Sequence, residues 1–147
     1  MQDDNEDLEY ERIRRENRKL LKAFRQWLTE QKLATRTVQG HVDNVAFFLE
    51  EFLLYEAPES AAEGIHRIGT YLGYWFIRKA IWASPTSLKA NAASLKKFYA
   101  FMREQGKVTP IEVREMNAQI KEELPEWVAT LARYDDLDVD PEDVWRF

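Results

Sequence analysis

The sequence has no cysteine and only two histidines, so several classes of chemistry are missing from its 147 residues. Without cysteine the chain can form no disulfide, no Cys-ligated zinc site and no thiol nucleophile, which is compatible with a reducing compartment. His41 and His66 are too few for a multi-histidine metal site or a full set of catalytic partners. We therefore expect no metal, no cofactor and no enzymatic activity.

Long apolar runs are missing as well. No stretch approaches the roughly 20 apolar residues that span a bilayer, and residues 1–7 are acidic where a signal peptide would be basic. Hydrophobic residues still make up 45% of the chain and aromatic residues 13%, as in a globular domain with a normal core. These features predict one domain in a soluble, cytoplasmic protein without a membrane partner.

Basic residues are concentrated in one segment of an otherwise acidic chain. The net charge is −5, yet residues 78–107 contain seven lysines and arginines and one acid, Glu104, and so carry +6. Residues 1–18 carry −3, residues 19–77 carry −1 and residues 110–147 carry −7. Localised charge attracts polyanions whatever the net charge does at long range, so the segment indicates a polyanionic partner.

Periodic apolar residues indicate an all-α fold, because no run alternates as a half-buried strand does. We expect a small bundle of about four core helices with a C-terminal helical extension. The predicted helices cover residues 8–31, 35–55, 65–81, 84–106, 109–124 and 125–133, with a loop over 57–64 and a terminal turn capped by Asp140 and Pro141. The predicted divisions are a charged, solvated N-terminal extension (1–18), a core domain (19–109) and an acidic tail (110–147).

Polar residues at the predicted helix starts suggest caps. Thr35 or Thr37 would cap the second helix, and Ser84 or Thr86 the fourth, because a hydroxyl oxygen accepts the unpaired N–H groups of a first turn. Gly106 ends the fourth helix. The predicted core stripes are Leu20, Leu21, Phe24, Trp27 and Leu28; Val38, Val42, Val45, Phe48, Leu49 and Phe52; Ile68, Leu72, Trp75 and Phe76; and Leu88, Ala92, Leu95, Phe98, Tyr99 and Met102.

A second face of the fourth helix is basic. Lys89, Lys96 and Arg103 follow one another at intervals of seven residues, so they line up on one side, beside Ala93 and Ala100. Long cations among alanines leave a surface that a bulky, rigid anion can approach closely. We expect His41 to pack or form a hydrogen bond near the start of the second helix.

Landmarks on three predicted helices occur in an order that resembles a known domain. They are Thr37, His41, Val45, Phe48, Leu49 and Phe52; then Ile68, Tyr71 and Leu72; then Ser84, Pro85, Thr86, Leu95, Lys96, Lys97, Phe98, Tyr99, Phe101, Met102 and Gly106. With them, residues 19–110 resemble the N-terminal core-binding, or SAM-like, domain of the tyrosine recombinase (phage integrase) family. The resemblance implies a DNA-gripping helical module.

The chain departs from that family in places. His41 replaces the usual tyrosine, Lys96 stands where arginine is common, and Thr109 with Pro110 stands where Asn-Pro is frequent. Family recombinases continue into a catalytic domain with an arginine, a lysine, a His-x-x-Arg motif and a tyrosine nucleophile. Here 37 residues without histidine follow Pro110. The resemblance therefore implies DNA binding without nuclease chemistry, by a separate module or a remnant of a recombinase.

In the family, the second and fourth helices face the target DNA, which implies DNA-binding residues at the matching positions. These are Thr35, Arg36, Thr37, Gln39 and Gly40 on the second helix, and Ser84, Thr86, Ser87, Lys89, Asn91, Lys96 and Lys97 on the fourth, with Arg103 continuing the basic row. Hydroxyls and N–H groups at helix starts bind phosphate oxygens, and lysines add salt-dependent affinity. The competing interpretation is ordinary caps and a solvated helix face.

Two functions follow as expectations. The first is non-catalytic binding of double-stranded DNA, in site-specific recombination or DNA integration beside a separately encoded recombinase. The alternative is a protein–protein interaction module or regulator that uses the acidic tail. That tail could pack on the bundle, dock on a neighbour or on a second copy of the chain, or mimic DNA against the basic face.

Overall fold

The computed structural model describes the backbone of residues 2–145 and the side chains of residues 4–134. Within that range the chain forms five main helices, a short 3₁₀ helix and no strand, which confirms the predicted all-α fold. The helices are α1 (Gln2–Glu30), α2 (Thr35–Phe47), α3 (Ile68–Thr70, Tyr71–Trp75 and Phe76–Lys79 in succession), α4 (Pro85–Glu104) and α5 (Pro110–Trp145). None of these helices has the length and apolar character to cross a bilayer.

The core consists of the predicted apolar stripes. The residues of the second and fourth stripes are all buried, as are Phe24, Leu28, Ile68, Leu72 and Phe76, whereas Leu20, Leu21, Trp27 and Trp75 are partly buried at its edge. Phe47 and Phe101 lie off the main stripes, and both still pack on aromatic neighbours. The helical spacing of the aromatic residues therefore places them in the core and not on a base-stacking surface.

Two π-helical turns meet at the centre of the bundle. One, Phe48–Phe52, extends α2, and the other, Tyr71–Trp75, is the middle part of α3. The ring of Tyr71 lies 4.9 Å from that of Phe48 and 5.1 Å from that of Phe52, measured between centroids. A π turn shifts the helical register by one residue, so large rings from both helices share one layer.

The loop between these helices is shorter than predicted. A 3₁₀ helix, Glu63–Arg67, begins inside the predicted loop over residues 57–64 and leads into α3. Its start is stabilised by Ser60, whose Oγ accepts a hydrogen bond from the Glu63 N–H (3.3 Å). Gly64 is needed within it, because a β-carbon there would lie 2.6 Å from Cδ1 of Leu53.

The first helix starts at Gln2, six residues before the predicted start, and runs without interruption past residue 18. Its opening turns are exposed at Arg12 and Arg14, as expected of a solvated extension. Ile13 and Asn17, however, are each only 1% exposed. One face of this segment is therefore packed, and α1 contacts the π turn that follows α2.

The C-terminal segment forms one helix, α5, so the predicted break at Pro125 and the predicted capped turn at Asp140 are wrong. A proline inside a helix removes one hydrogen bond and costs about 3 kcal/mol. Ile120 before Pro125 and Leu131 after it are both fully buried, so packing on either side outweighs that cost. Through Leu131 the acidic tail packs on the bundle of its own chain.

Candidate nucleic-acid interface

Helix α4 is capped at both ends. At its start the Ser87 N–H donates to Oγ of Ser84 (3.0 Å) and the Ser84 N–H donates to Oγ of Ser87 (2.8 Å). At its end Gly106 has φ +71°, its N–H donates to the Arg103 carbonyl (2.9 Å), and the next N–H donates to the Met102 carbonyl (2.9 Å). These caps confirm the predicted starting serine and terminal glycine, and the buried apolar stripe of α4 leaves its opposite face turned outward.

The outward face carries the predicted basic row. Lys89, Lys96 and Arg103 are all exposed; of the two alanines beside them, Ala93 is exposed and Ala100 is half-buried. Among the described side chains, none of these cations forms an ion pair. The nearby acid, Glu104, instead accepts a hydrogen bond from Nε1 of Trp27 (3.0 Å). The positive charge of the row is therefore directed at the solvent.

Helix α2 is joined to α4 by a polar bridge of three side chains. The Ser94 hydroxyl accepts a hydrogen bond from Nδ2 of Asn44 (3.0 Å) and forms a second hydrogen bond with Nδ1 of His41 (2.8 Å). Burial and, second, the charge of Lys97 hold the pKa of His41 below its usual value. His41 is therefore neutral near pH 7, and it forms the hydrogen bond expected near the start of α2.

The start of α2 lacks the predicted threonine cap. Ala34, with φ −59° and ψ 146°, takes the cap position, and Thr35 is already the first helical residue. A hydroxyl on Thr35 cannot bond the N–H groups two and three residues beyond the cap, because it sits one position too late. The first-turn N–H groups of α2 consequently have no side-chain cap, and this turn is exposed.

The other candidate residues of α2 share that exposed surface. Arg36, Thr37, Gln39 and Gly40 all lie on it. Nε2 of Gln39 donates to Oδ1 of Asp43 (2.6 Å), which places one carboxylate among them. Since α2 and α4 contact each other, both groups of candidate residues lie on neighbouring helices.

Asn91 does not belong to this surface, which corrects the prediction. It is 3% exposed, its Nδ2 donates to the Ser87 carbonyl (2.9 Å), and its Oδ1 accepts a hydrogen bond from the Tyr71 hydroxyl (3.4 Å). Asn91 comes two residues after Lys89, and two residues turn a helix by about 200°, so the two side chains point to opposite sides. Its role is to join α4 to α3.

The three candidate hydroxyls at the start of α4 differ in whether they already form hydrogen bonds within the protein. Those of Ser84 and Ser87 take part in the capping box, and Oγ of Ser87 also donates to the Trp82 carbonyl (3.2 Å). Thr86 is exposed. Of the three candidates, Thr86 is therefore the hydroxyl best placed to meet a phosphate.

Among the described side chains, no acid of helix α5 forms an ion pair with the basic row. Glu112 accepts a hydrogen bond from the Thr109 N–H (2.9 Å), as a capping residue of α5, and pairs with Nε2 of His66 (2.8 Å). Glu126 pairs with Arg133 on the same helix (3.5 Å). His66 is exposed, and among the described side chains no acid of α5 forms an ion pair with a cation of α4, as a DNA mimic would.

The sequence interpretation missed two exposed apolar residues. It places Ile81 at the end of the third helix, but α3 ends at Lys79, and Ile81 and Trp82 lie in the turn before α4. Their side chains are 97% and 54% exposed. Ser84 with Pro85 is the sequence signal for an earlier helix end, since a capped start of α4 requires a preceding turn.

Comparisons of the chain with protein-family models, with curated proteins and with solved structures found no match. The resemblance to a core-binding domain therefore stays a prediction from the landmark residues. Within the described side chains there is also no group of three or more acidic or histidine residues that could hold a metal ion.

Proposed function

We propose that this chain is a non-catalytic module that binds double-stranded DNA through the exposed face of α4 and the start of α2. The observation that carries the proposal is the row of Lys89, Lys96 and Arg103, exposed and without ion pairs among the described side chains. At 1.5 Å per residue the row is about 21 Å long. That length matches about six base-pair steps of a duplex, enough for several phosphate contacts.

The surroundings of the row suit a rigid polyanion. Ala93 and Ala100 keep the surface between the cations low, so the helix can approach a backbone of phosphates closely. Lys97 extends the positive surface toward α2, whose uncapped first turn offers backbone N–H groups. Contacts of this kind position a protein on DNA and give little sequence preference.

The resemblance to the core-binding domain supports the same proposal and adds a context. We propose that the module acts in recombination or integration beside a separate recombinase. The proposal gives the module no catalytic role, since the family's His-x-x-Arg motif has no counterpart here: His41 lies beside Ser94 on the bridge between α2 and α4, and His66 pairs with Glu112.

The alternative of a docking module that uses the acidic tail has less support. The apolar side of α5 is occupied by the bundle, as the burial of Val113, Met116 and Leu131 shows. A partner would have to bind the exposed acids, such as Glu122 and Glu123, while the exposed apolar residue Ile111 lies at the other end of this segment, at the start of α5.

A salt titration of duplex binding tests the proposal. In fluorescence anisotropy from about 50 to 200 mM salt, the logarithm of the affinity should fall linearly with that of the salt concentration. The double variant Lys89→Ala/Lys96→Ala should bind all sequences more weakly, with a slope shallower by up to about 0.9 per lost phosphate contact.

The matched control is Arg114→Ala/Lys121→Ala, which removes the same charge from exposed positions of α5. It should leave the slope nearly unchanged. Equal losses in both double variants would show that only the overall charge matters, and a wild-type protein without salt-sensitive binding would refute the proposal. A covalent protein–DNA adduct would contradict its non-catalytic part.

A further inference from the structure

The turn between α3 and α4 presents an apolar tip to the solvent. Ile81 is 97% exposed and Trp82 is 54% exposed. Single exposed apolar residues are common, but adjacent ones at the point of a turn form a projecting apolar surface that a partner could cover.

The tip is held rigidly. The Ala83 N–H donates to the Ala80 carbonyl (3.0 Å), and Oγ of Ser87 donates to the Trp82 carbonyl (3.2 Å). The indole of Trp82 packs edge-on against the ring of Phe47, with 5.0 Å between centroids. The backbone of the tip and the Trp82 ring are thus fixed to α2 and α4, so binding there requires little ordering of the turn.

Positive charge flanks the tip on both sides in the chain. Arg78 and Lys79 precede it and are exposed, and Lys89, the first residue of the basic row, follows about 8 Å along the axis of α4 from Ser84. The one acid in residues 78–107, Glu104, lies at the far end of α4. The chain segments on either side of the tip therefore carry net positive charge, which favours an anionic occupant.

We infer that Ile81, supported by Trp82, makes an apolar contact inside a groove of the same DNA duplex whose phosphates the basic row binds. The inference rests on the proposed function. Duplex DNA combines the two required features, because anionic phosphates border grooves in which sugar carbons and thymine methyl groups are open to apolar side chains. A protein partner that buries the tip is the competing outcome.

The salt titration separates this contact from the phosphate contacts. Burying an apolar side chain releases no counterions, so Ile81→Ala should weaken duplex binding roughly tenfold at every salt concentration without changing the slope. Lys96→Ala should instead make the slope shallower. Ile81→Leu, which keeps the apolar volume, should bind within about twofold of the wild type.

Leu8→Ala is the matched control, since Leu8 is an exposed apolar residue among the acids at the start of α1 and should not meet DNA. Thermal unfolding verifies that each variant folds. If the wild type binds DNA and Ile81→Ala binds equally well, or changes the slope, the inference is wrong while the proposed function stands. If the wild type binds no duplex, both are wrong.

Discussion

Gly73 of α3 lies directly against the indole of Trp127 on α5: a β-carbon on Gly73 would stand 2.5 Å from the indole Nε1. The absence of a side chain on α3 lets the large ring reach the helix backbone, where it is 6% exposed. Trp127 follows Pro125 by two residues. This contact therefore anchors α5 immediately after the proline that would otherwise end it.

Gly73→Ala should destabilise the protein by about 1–3 kcal/mol, the usual cost of forcing extra volume into a packed contact. Denaturant unfolding measures the change. Gly40→Ala is the control, because a β-carbon on Gly40 meets nothing within 4 Å, and α2 should gain roughly 0.5–1 kcal/mol from the alanine. Equal effects of the two substitutions would contradict the tight contact.

Ser84→Ala should cost about 1 kcal/mol of stability, because Oγ of Ser84 accepts the Ser87 N–H. Thr35→Ala should change stability by less than about 0.5 kcal/mol, since Thr35 is inside α2 and caps nothing. Thermal unfolding of both variants compares two positions that look equally suited to capping in the sequence. A larger loss for Thr35→Ala would show that α2 begins later than observed.

Asn91→Ala should reduce stability and not DNA affinity, whereas Lys89→Ala should reduce DNA affinity and not stability. Burial raises the pKa of the Tyr71 hydroxyl, which stays a donor and loses its acceptor when Asn91 is removed. Asn91→Ala should cost about 1–3 kcal/mol of stability and leave the DNA affinity of the folded protein unchanged. Lys89→Ala should weaken DNA binding with little change in stability. Unfolding curves and duplex titrations test both, and a DNA defect specific to folded Asn91→Ala would contradict its buried role.

The His41 bridge should make stability depend on pH. The pKa of His41 is lower in the folded state than its ordinary 6.5, so the unfolded chain binds the proton more readily. The contribution of neutral His41 to the free energy of unfolding is fully present above pH 6.5, and it is lost as the pH falls through the pKa of His41 in the folded state. Relative to His41→Gln, the wild type should lose stability below pH 6.5 in denaturant unfolding. Parallel pH profiles would show that His41 does not titrate differently on folding.

Several features were predictable because their causes lie within a few residues. The all-α fold follows from apolar residues at helical spacing, and Val38, Val42 and Val45 are buried as that spacing predicts. The start of α4 depends on bonds between residues three apart, Ser84 and Ser87, and its end on a glycine at positive φ. The basic row was predictable for the same reason, because residues seven positions apart lie on the same side of a helix.

The sequence by itself thus determined the helical fold, most of the core, the ends of α4 and, through the absence of cysteine, that these residues form no disulfide. Only the tertiary structure decided that α5 continues through Pro125, that Asn91 is buried and that Ile81 projects into solvent. These outcomes depend on what another helix places beside each residue: Trp127 against Gly73, Tyr71 against Asn91, and Phe47 against Trp82. Contacts between residues far apart in the chain leave no local pattern, because packing energy depends on the partner and not on the neighbouring sequence.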